Sequence, residues 1–416
     1  MTAEQLQLST EPVPLPGGLL LRPSTPADDE QVGALLAARG DADDAVDHRL
    51  VVQDPDAGHG ACAVVVDGDR LVSTALLLDE RVRVGHGAGA VTLPAGQVDL
   101  VATDTAYEGR GLVRALMGWA HHRSAERGHL LGVMIGIPYF YRLFGYEYAL
   151  AIPPAPTLTG VPDAPGSGVL RKATAADVPA IVRLQDAVQA PADVAVPHSE
   201  PRWRWLLTRN GTTQWVVERD GDVVATGRAT GADEGVLLAE AAAADPAAAA
   251  DLVVALVATA GPDGLAVQRR RGHVDDVCAP WYGEIGDRPD QYYVRLPDPA
   301  AVLDALRPTL WQRHVAAGPD RGGRDLLVST FGAHYRLPVL DDGFGPVQVG
   351  GPMQSPGAVG GMGCAPDQLA ALLLGPHGVR GLARSRPDVY FGADPEWFDA
   401  LFPPLTSDLL TFYLPY

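Results

Sequence analysis

The residues best placed for chemistry lie between Val98 and Met117, in the run VDLVATDTAYEGRGLVRALM. An apolar stretch reads as a buried strand that ends in a short polar loop. Gly109, Arg110 and Gly111 then open a long amphipathic helix. The first turn of a helix leaves backbone N–H groups without intrahelical partners and carries the positive end of the helix dipole. Such a terminus is a natural site for a phosphate or pyrophosphate. The two glycines let a ligand approach the backbone, and Arg110 and Arg114 add positive charge. The same letters fit a plain strand–turn–helix with incidental glycines equally well. The dinucleotide pattern GxGxxG and the phosphate-loop pattern GxxxxGK[ST] are both missing from this segment.

Candidate proton donors follow shortly after. Tyr139, Tyr141, Tyr146 and Tyr148 crowd one segment, and a phenol can protonate a leaving thiolate. Spacing alone does not choose among the four. His121 and His122 are neighbours on the helix, so they face different directions and do not make a metal pair. The three cysteines, Cys62, Cys278 and Cys364, are far apart and odd in number. They support neither a disulfide framework nor a CxxC metal site, and a reducing cytoplasm is the expected setting. No metal is expected.

The elements that position these groups can be read around them. Ala61–Val66 and Leu71–Leu78 flank Asp67-Gly68-Asp69-Arg70, a hairpin signal. A third strand is expected near Gln97–Thr103 and a helix over Gly111–Arg127, with Leu112, Ala115, Leu116, Trp119 and Ala120 on one face. Short strands are expected at Leu130–Ile135 and Tyr146–Ile152. Further on, Gln214–Val217 and Val223–Arg228 form a second hairpin signal, and the alanine-rich Ala239–Ala260 reads as helix. The last part begins with a helix over Pro299–Val315. Strands follow near Leu326–Phe331, His334–Leu340 and Pro346–Val349, then short helices at Gln368–Leu374 and Glu396–Leu401.

A short pattern occurs twice. Leu21-Arg22-x-x-Thr25-x-Ala27-Asp28 recurs as Leu170-Arg171-x-x-Thr174-x-Ala176-Asp177, a domain-sized distance along the chain. In both copies a short strand leads into a capped helix start. This suggests two tandem units of one fold. The Pro- and Gly-rich residues 153–168 are the linker candidate. A length of 416 residues also exceeds what a single hydrophobic core serves, so two or three domains are expected.

Composition sets outer bounds. Apolar residues make up 47% and charged residues 20%, an ordinary globular balance. The net charge of −19 argues against a nucleic-acid partner, which calls for a basic face. It is compatible with a cationic substrate drawn in by the field, although solubility alone explains it. No apolar run is long enough to span a membrane, and the N-terminus does not read as a signal peptide.

The run LVATDTAYEGRGLVRALM resembles the acyl-CoA pyrophosphate loop of the GNAT superfamily, R/Q-x-x-G-x-G/A after a strand. FYRLFGYEYAL, Phe140–Leu150, resembles that superfamily's later Y-x-x-x-G-[FYW] element. The order of units resembles the enhanced-intracellular-survival (Eis) family. The resemblance implies a mixed α+β (α/β) chain of tandem GNAT folds. A catalytic domain would span residues 1–152, a linker 153–168, a degenerate GNAT-like domain 169–296 and a sterol-carrier-like domain 297–416. Two letters depart from the motif. Glu108 stands at the R/Q position, an anion beside an anion site, and Val113 at the last Gly/Ala.

The resemblance also implies chemistry. Acetyl-CoA would be the co-substrate, with its thioester held by the backbone of Val101, Ala102 and Thr103. Its pyrophosphate would lie on Gly109, Arg110, Gly111, Leu112 and Val113, beside Arg114. Tyr141 would be the general acid, and the C-terminal carboxylate of Tyr416 the general base. The acceptor would be an amine of a small polycation of aminoglycoside type, or a lysine. A homo-oligomer, hexameric by family, is implied. The second unit has alanines where the glycine loop would fall and is not expected to bind CoA. The alternative is a non-catalytic lipid- or ligand-binding or scaffold protein built on the third domain.

Overall fold

A computed structural model describes the chain except residues 1–10, 41, 163–165, 232–235, 262–263, 286–289, 319–323, 393 and 411–416. The first part of the chain contains strands β1 (Val13–Pro14) and β2 (Leu20–Pro23), helices α1 (Asp29–Arg39) and α2 (Ala42–Gln53), and strands β3 (Cys62–Asp67), β4 (Arg70–Val84) and β5 (Val91–Thr103). Helix α3 (Leu112–Glu126) and strands β6 (Leu131–Met134) and β7 (Glu147–Ile152) complete it. The second contains β8 (Val169–Lys172), α4 (Val178–Gln189), β9 (Val194–Val196), α5 (Glu200–Thr208) and the strands β10 (Thr212–Arg219), β11 (Asp222–Thr230) and β12 (Val236–Ala243). It continues with α6 (Pro246–Val257), β13 (Leu265–Val267) and β14 (Asp290–Arg295). The third has β15 (Leu326–Ser329), β16 (His334–Leu337), β17 (Gln348–Gly350), β18 (Met362–Gly363), β19 (Tyr390–Phe391) and β20 (Ser407–Leu409).

The twofold pattern has a physical basis. Thr25 and Asp28 form a capping box, and Arg22 grips the Asp28 carboxylate at 2.7 and 2.8 Å. Thr174, Asp177 and Arg171 repeat the device, with both arginine contacts at 2.8 Å. Each box satisfies orphan N–H groups at a helix start, and the arginine fixes the strand before it to that start. A second device also recurs. β5 bulges at Leu100 (φ 47°) and β12 at Glu240 (φ 54°), each beside a register shift against the preceding strand. Left-handed conformation at a non-glycine residue costs about 1–2 kcal/mol, so both positions are held by their surroundings.

The sheets exchange strands between units. The order β1-β2-β3-β4-β5-β6-β14-β7 makes one sheet, so Asp290–Arg295, assigned to the second unit from sequence, lies between β6 and β7. β9 of the second unit pairs with the end of β4, and β20 of the third pairs with β9. The linker candidate is no free tether either. Leu158 and Thr159 donate backbone hydrogen bonds to Leu265 and Trp281 at 2.8 and 2.7 Å, which binds this stretch to the second unit.

Alanine content misplaces one boundary. Residues 236–243 are a strand, and the helix starts only at Pro246, capped by Asp245 on the Ala248 N–H at 2.8 Å. Burial between β11 and β13 overrides the helix propensity of alanine here. The helix expected over Pro299–Val315 is two, Pro299–Ala305 and Arg307–Ala316, which meet at Leu306. Pro308 removes an N–H just inside the second of them. Helix α2 was not anticipated, because its apolar positions carry little helical periodicity.

Candidate active site

β5 and β6 run parallel and pair only through Ala95–Gln97 and Leu131–Val133. Beyond Gln97 the two strands part, while β5 stays paired with β4 through Thr103. Val101, Ala102 and Thr103 thus lie on a strand edge that has no partner on the β6 side among the described residues. Ser73 anchors this stretch from β4, donating to the Ala102 carbonyl at 2.9 Å and meeting the Thr103 hydroxyl at 2.7 Å.

The loop after β5 is ordered by its own side chains. Asp104 accepts from the Ala106 N–H at 2.9 Å and pairs with Arg70 at 2.6 Å. Tyr107 donates to Asp67 at 2.7 Å. Gly109 and Gly111 take left-handed conformations, φ 74° and 80°, and Gly111 is the N-cap of α3. It has no side chain to cover the helix end. The first intrahelical bond runs from the Ala115 N–H to the Gly111 carbonyl, which leaves the N–H groups of Leu112, Val113 and Arg114 ahead of it. Arg110 and Arg114 are exposed. Arg110 lies 4.4 Å over the Tyr107 ring and donates to the Ala106 carbonyl at 3.1 Å.

Glu108 does not face this terminus unopposed. Its carboxylate meets Arg39 of α1 at 2.6 Å. The cation comes from helix α1, far upstream in the sequence.

Four tyrosines competed for the proton-donor position, and their surroundings separate them. Tyr139 is exposed. The Tyr146 hydroxyl meets His121 Nε2 at 3.3 Å. The Tyr148 hydroxyl is held by Tyr293 at 2.8 Å. Tyr141 is buried, and its hydroxyl makes no hydrogen bond to any described residue. Its ring lies against Gly136, where an added Cβ would stand 2.4 Å from Cε2, so only glycine fits just past the end of β6. Burial pushes the Tyr141 phenol up to about 12, and the Asp99 carboxylate on β5 adds to this. The ring therefore spans from the end of β6 toward the bulge of β5, with its proton retained at neutral pH.

Asp99 is a residue that sequence reasoning passed over. It is buried at the bulge, accepts from Gln97 Nε2 at 2.7 Å and from the Leu100 N–H at 2.9 Å, and Gln97 in turn accepts from the Tyr292 hydroxyl at 2.9 Å. An acid inside the apolar strand VDLVA was the available signal. His121 stays neutral, its pKa pushed down to about 3 by burial and then by Arg295. No group of side chains suited to a metal ion occurs among the described residues. Tyr416 lies outside the described residues. The last one described, Leu410, belongs to the hydrophobic cluster that also contains Leu100 and Ala102.

Residues 25–149 match the family model described as acetyltransferase (GNAT) domain. The chain carries a GNAT acetyltransferase domain. It is accordingly an acyltransferase; GNAT domains use acetyl-CoA as co-substrate and act on amines. The glycine-capped terminus of α3 and the parted strands of this GNAT domain suit that co-substrate's pyrophosphate and extended arm.

Solved structures extend the likeness beyond the matched segment. A GCN5-related N-acetyltransferase from Kribbella flavida aligns with a TM-score of 0.65 at 19% identity, over 95% of this chain and 98% of its own. One from Anabaena variabilis gives 0.65 at 13%, over 94% and 98%. Eis1 from Mycobacterium abscessus gives 0.60 at 17%, over 94% and 99%. At these identities they show a shared fold over nearly the whole chain. No curated protein matches the sequence. No helix among the described residues is long and apolar enough to cross a membrane.

Proposed function

We propose that the chain transfers acetyl from acetyl-CoA to an amine of a cationic small molecule of aminoglycoside type, or to a lysine, by direct attack without a covalent enzyme intermediate. Transfer needs a thioester held beside the amine, a polarised carbonyl, and a proton for the departing thiolate. The open edge at Val101, Ala102 and Thr103 holds the arm and thioester. The N–H groups of Leu112, Val113 and Arg114, opened by Gly109 and Gly111, take the pyrophosphate, with Arg110 and Arg114 beside it. Tyr141 gives the proton. The observation that carries this reading is Tyr141, a buried residue between Gly136 past the end of β6 and Asp99 on β5, whose hydroxyl has no hydrogen-bond partner among the described residues. Asp99, close enough to raise the Tyr141 pKa, favours a protonated amine in its neighbourhood. The net charge of −19 favours cationic acceptors in the same sense.

The base is assigned to the carboxylate of Tyr416 on the family resemblance, and Leu410, six residues before it, shares a hydrophobic cluster with Leu100 of β5. The second domain is read as a degenerate GNAT fold that does not bind CoA. Its corresponding helix start is capped by Asp245, which pairs with Arg219, and begins with Pro246, so it offers an anion a carboxylate rather than open N–H groups. The third domain is read as sterol-carrier-like, and the assembly as a homo-oligomer. The family match over residues 25–149 favours catalysis over a binding-only role. Release of free thiol from acetyl-CoA with and without a polyamine acceptor tests the proposal. No acceptor-dependent release across polyamines, aminoglycosides and lysine peptides would overturn it.

A further inference from the structure

The larger of the two described cavities, about 680 Å³, is not at the parted strands. It lies where the first sheet is interrupted. β3 leaves β4 at Leu76, and β9 joins it only at Arg83. Leu77–Arg81 have no neighbouring strand on that side among the described residues, and they line the cavity. The far end of α3 and the segment Pro197–Pro201 of the second domain close it, with Trp205 in its wall.

The charges there are unevenly answered. Asp79 is held by Arg127, with Nε at 2.6 Å, and by His129 at 3.1 Å. Glu80 is paired with Arg202. Asp56 and Glu200 are exposed and gather around Arg204, at 3.0 and 3.4 Å. Arg123 has no carboxylate within ion-pair distance among the described residues, although it is half-buried and its Nε is sealed from water without a hydrogen-bond partner. Its guanidinium lies against Gly60, where a Cβ would stand 3.3 Å from Nη2. Arg81, exposed at the mouth, also has no acidic partner among the described residues. A guanidinium without a carboxylate beside it has N–H groups to give to a bound anion, and such charge-assisted bonds are the strong ones. The volume and the apolar wall of Leu77, Leu78, Ala61 and Trp205 suit a small organic molecule.

We infer that this interdomain cavity binds a small organic anion through a carboxylate or phosphate group held by Arg123 and Arg81, apart from the acetyl-transfer site. The planar guanidinium fork suits either group. Arg123 is not part of the acetyl-transfer machinery, so the inference stands independently of that reading.

The test is thermal melting of the full chain against inorganic phosphate and against succinate, at constant ionic strength. It is run with saturating CoA and again on Gly111→Trp, in which the loop is blocked. The wild type should melt higher with rising concentration of at least one probe, and the better probe identifies the group. Arg123→Met, which keeps the apolar stem, should weaken that probe at least tenfold and leave CoA affinity unchanged. Gly60→Ser, which displaces the guanidinium, should weaken it as well. If Arg123→Met does not fold, the Gly60→Ser and Arg81→Met chains carry the same comparison. No saturable shift with either probe up to 20-fold over protein-saturating CoA, or shifts equal in the wild type and the variants, would overturn the inference.

Discussion

Replacing Gly111 by Trp puts a number on the helix-terminus site. Gly111 has φ 80°, and an added Cβ meets nothing within 4 Å. The cost to the fold is thus confined to left-handed backbone at a side-chain-bearing residue, about 1–2 kcal/mol. That lowers the melting temperature by about 2–8 °C. The indole, however, stands in front of the N–H groups of Leu112, Val113 and Arg114. A hydrogen bond to a charged group contributes about 1.5–3 kcal/mol, so loss of two removes about 3–6 kcal/mol. The dissociation constant for acetyl-CoA should rise by about 10²–10⁴. Isothermal titration on the wild type and the variant reads this directly. Tight binding by a folded variant, within threefold of the wild type, would refute the placement of the pyrophosphate on this terminus.

Other outcomes follow from the same geometry. Arg39→Ala should change stability by less than about 1 kcal/mol, since its pair with Glu108 is exposed. It should nonetheless weaken acetyl-CoA severalfold by freeing a carboxylate near the loop, and adding Glu108→Ala should restore affinity in the same titration. Arg202→Leu leaves Glu80 buried without its cation and should cost about 3–5 kcal/mol in denaturant melts. Burial holds His48, His121 and His198 down to pKa values of about 4, 3 and 4, so the folded chain takes up their protons later than the unfolded one. Stability should therefore be fully present above about pH 6.5 and fall as pH drops toward 4, at about 1.4 kcal/mol per histidine per pH unit. His121→Phe should flatten part of that slope in melts run from pH 7.5 to 5.

The loop and its helix were legible because their signals are local. Glycines at 109 and 111, an arginine between them and an apolar face on the following helix all lie within a few residues. The capping boxes at Thr25 and Thr174 were legible for the same reason. What sequence missed depends on contacts across long separations. The partner of Glu108 is Arg39, on a helix far upstream. Asp290–Arg295 joins a sheet whose neighbouring strands end before residue 153, and nothing in DQYYVR announces that. The alanine run at 239–243 reads as helix until burial in a sheet is known. Spacing alone left Tyr141 level with its three neighbours; the family resemblance favoured it, and burial and hydrogen bonding set it apart from Tyr139, Tyr146 and Tyr148.

The most direct test of the central claim is steady-state release of free CoA thiol from acetyl-CoA, with a saturating cationic amine, by the wild type and by Tyr141→Phe. The account predicts acceptor-dependent release by the wild type and a kcat about 10²–10⁴ lower in the variant, with KM for acetyl-CoA nearly unchanged. The melting temperature should hold or rise, since the lost hydroxyl has no hydrogen-bond partner among the described residues. Equal kcat in the two proteins would contradict the role given to Tyr141.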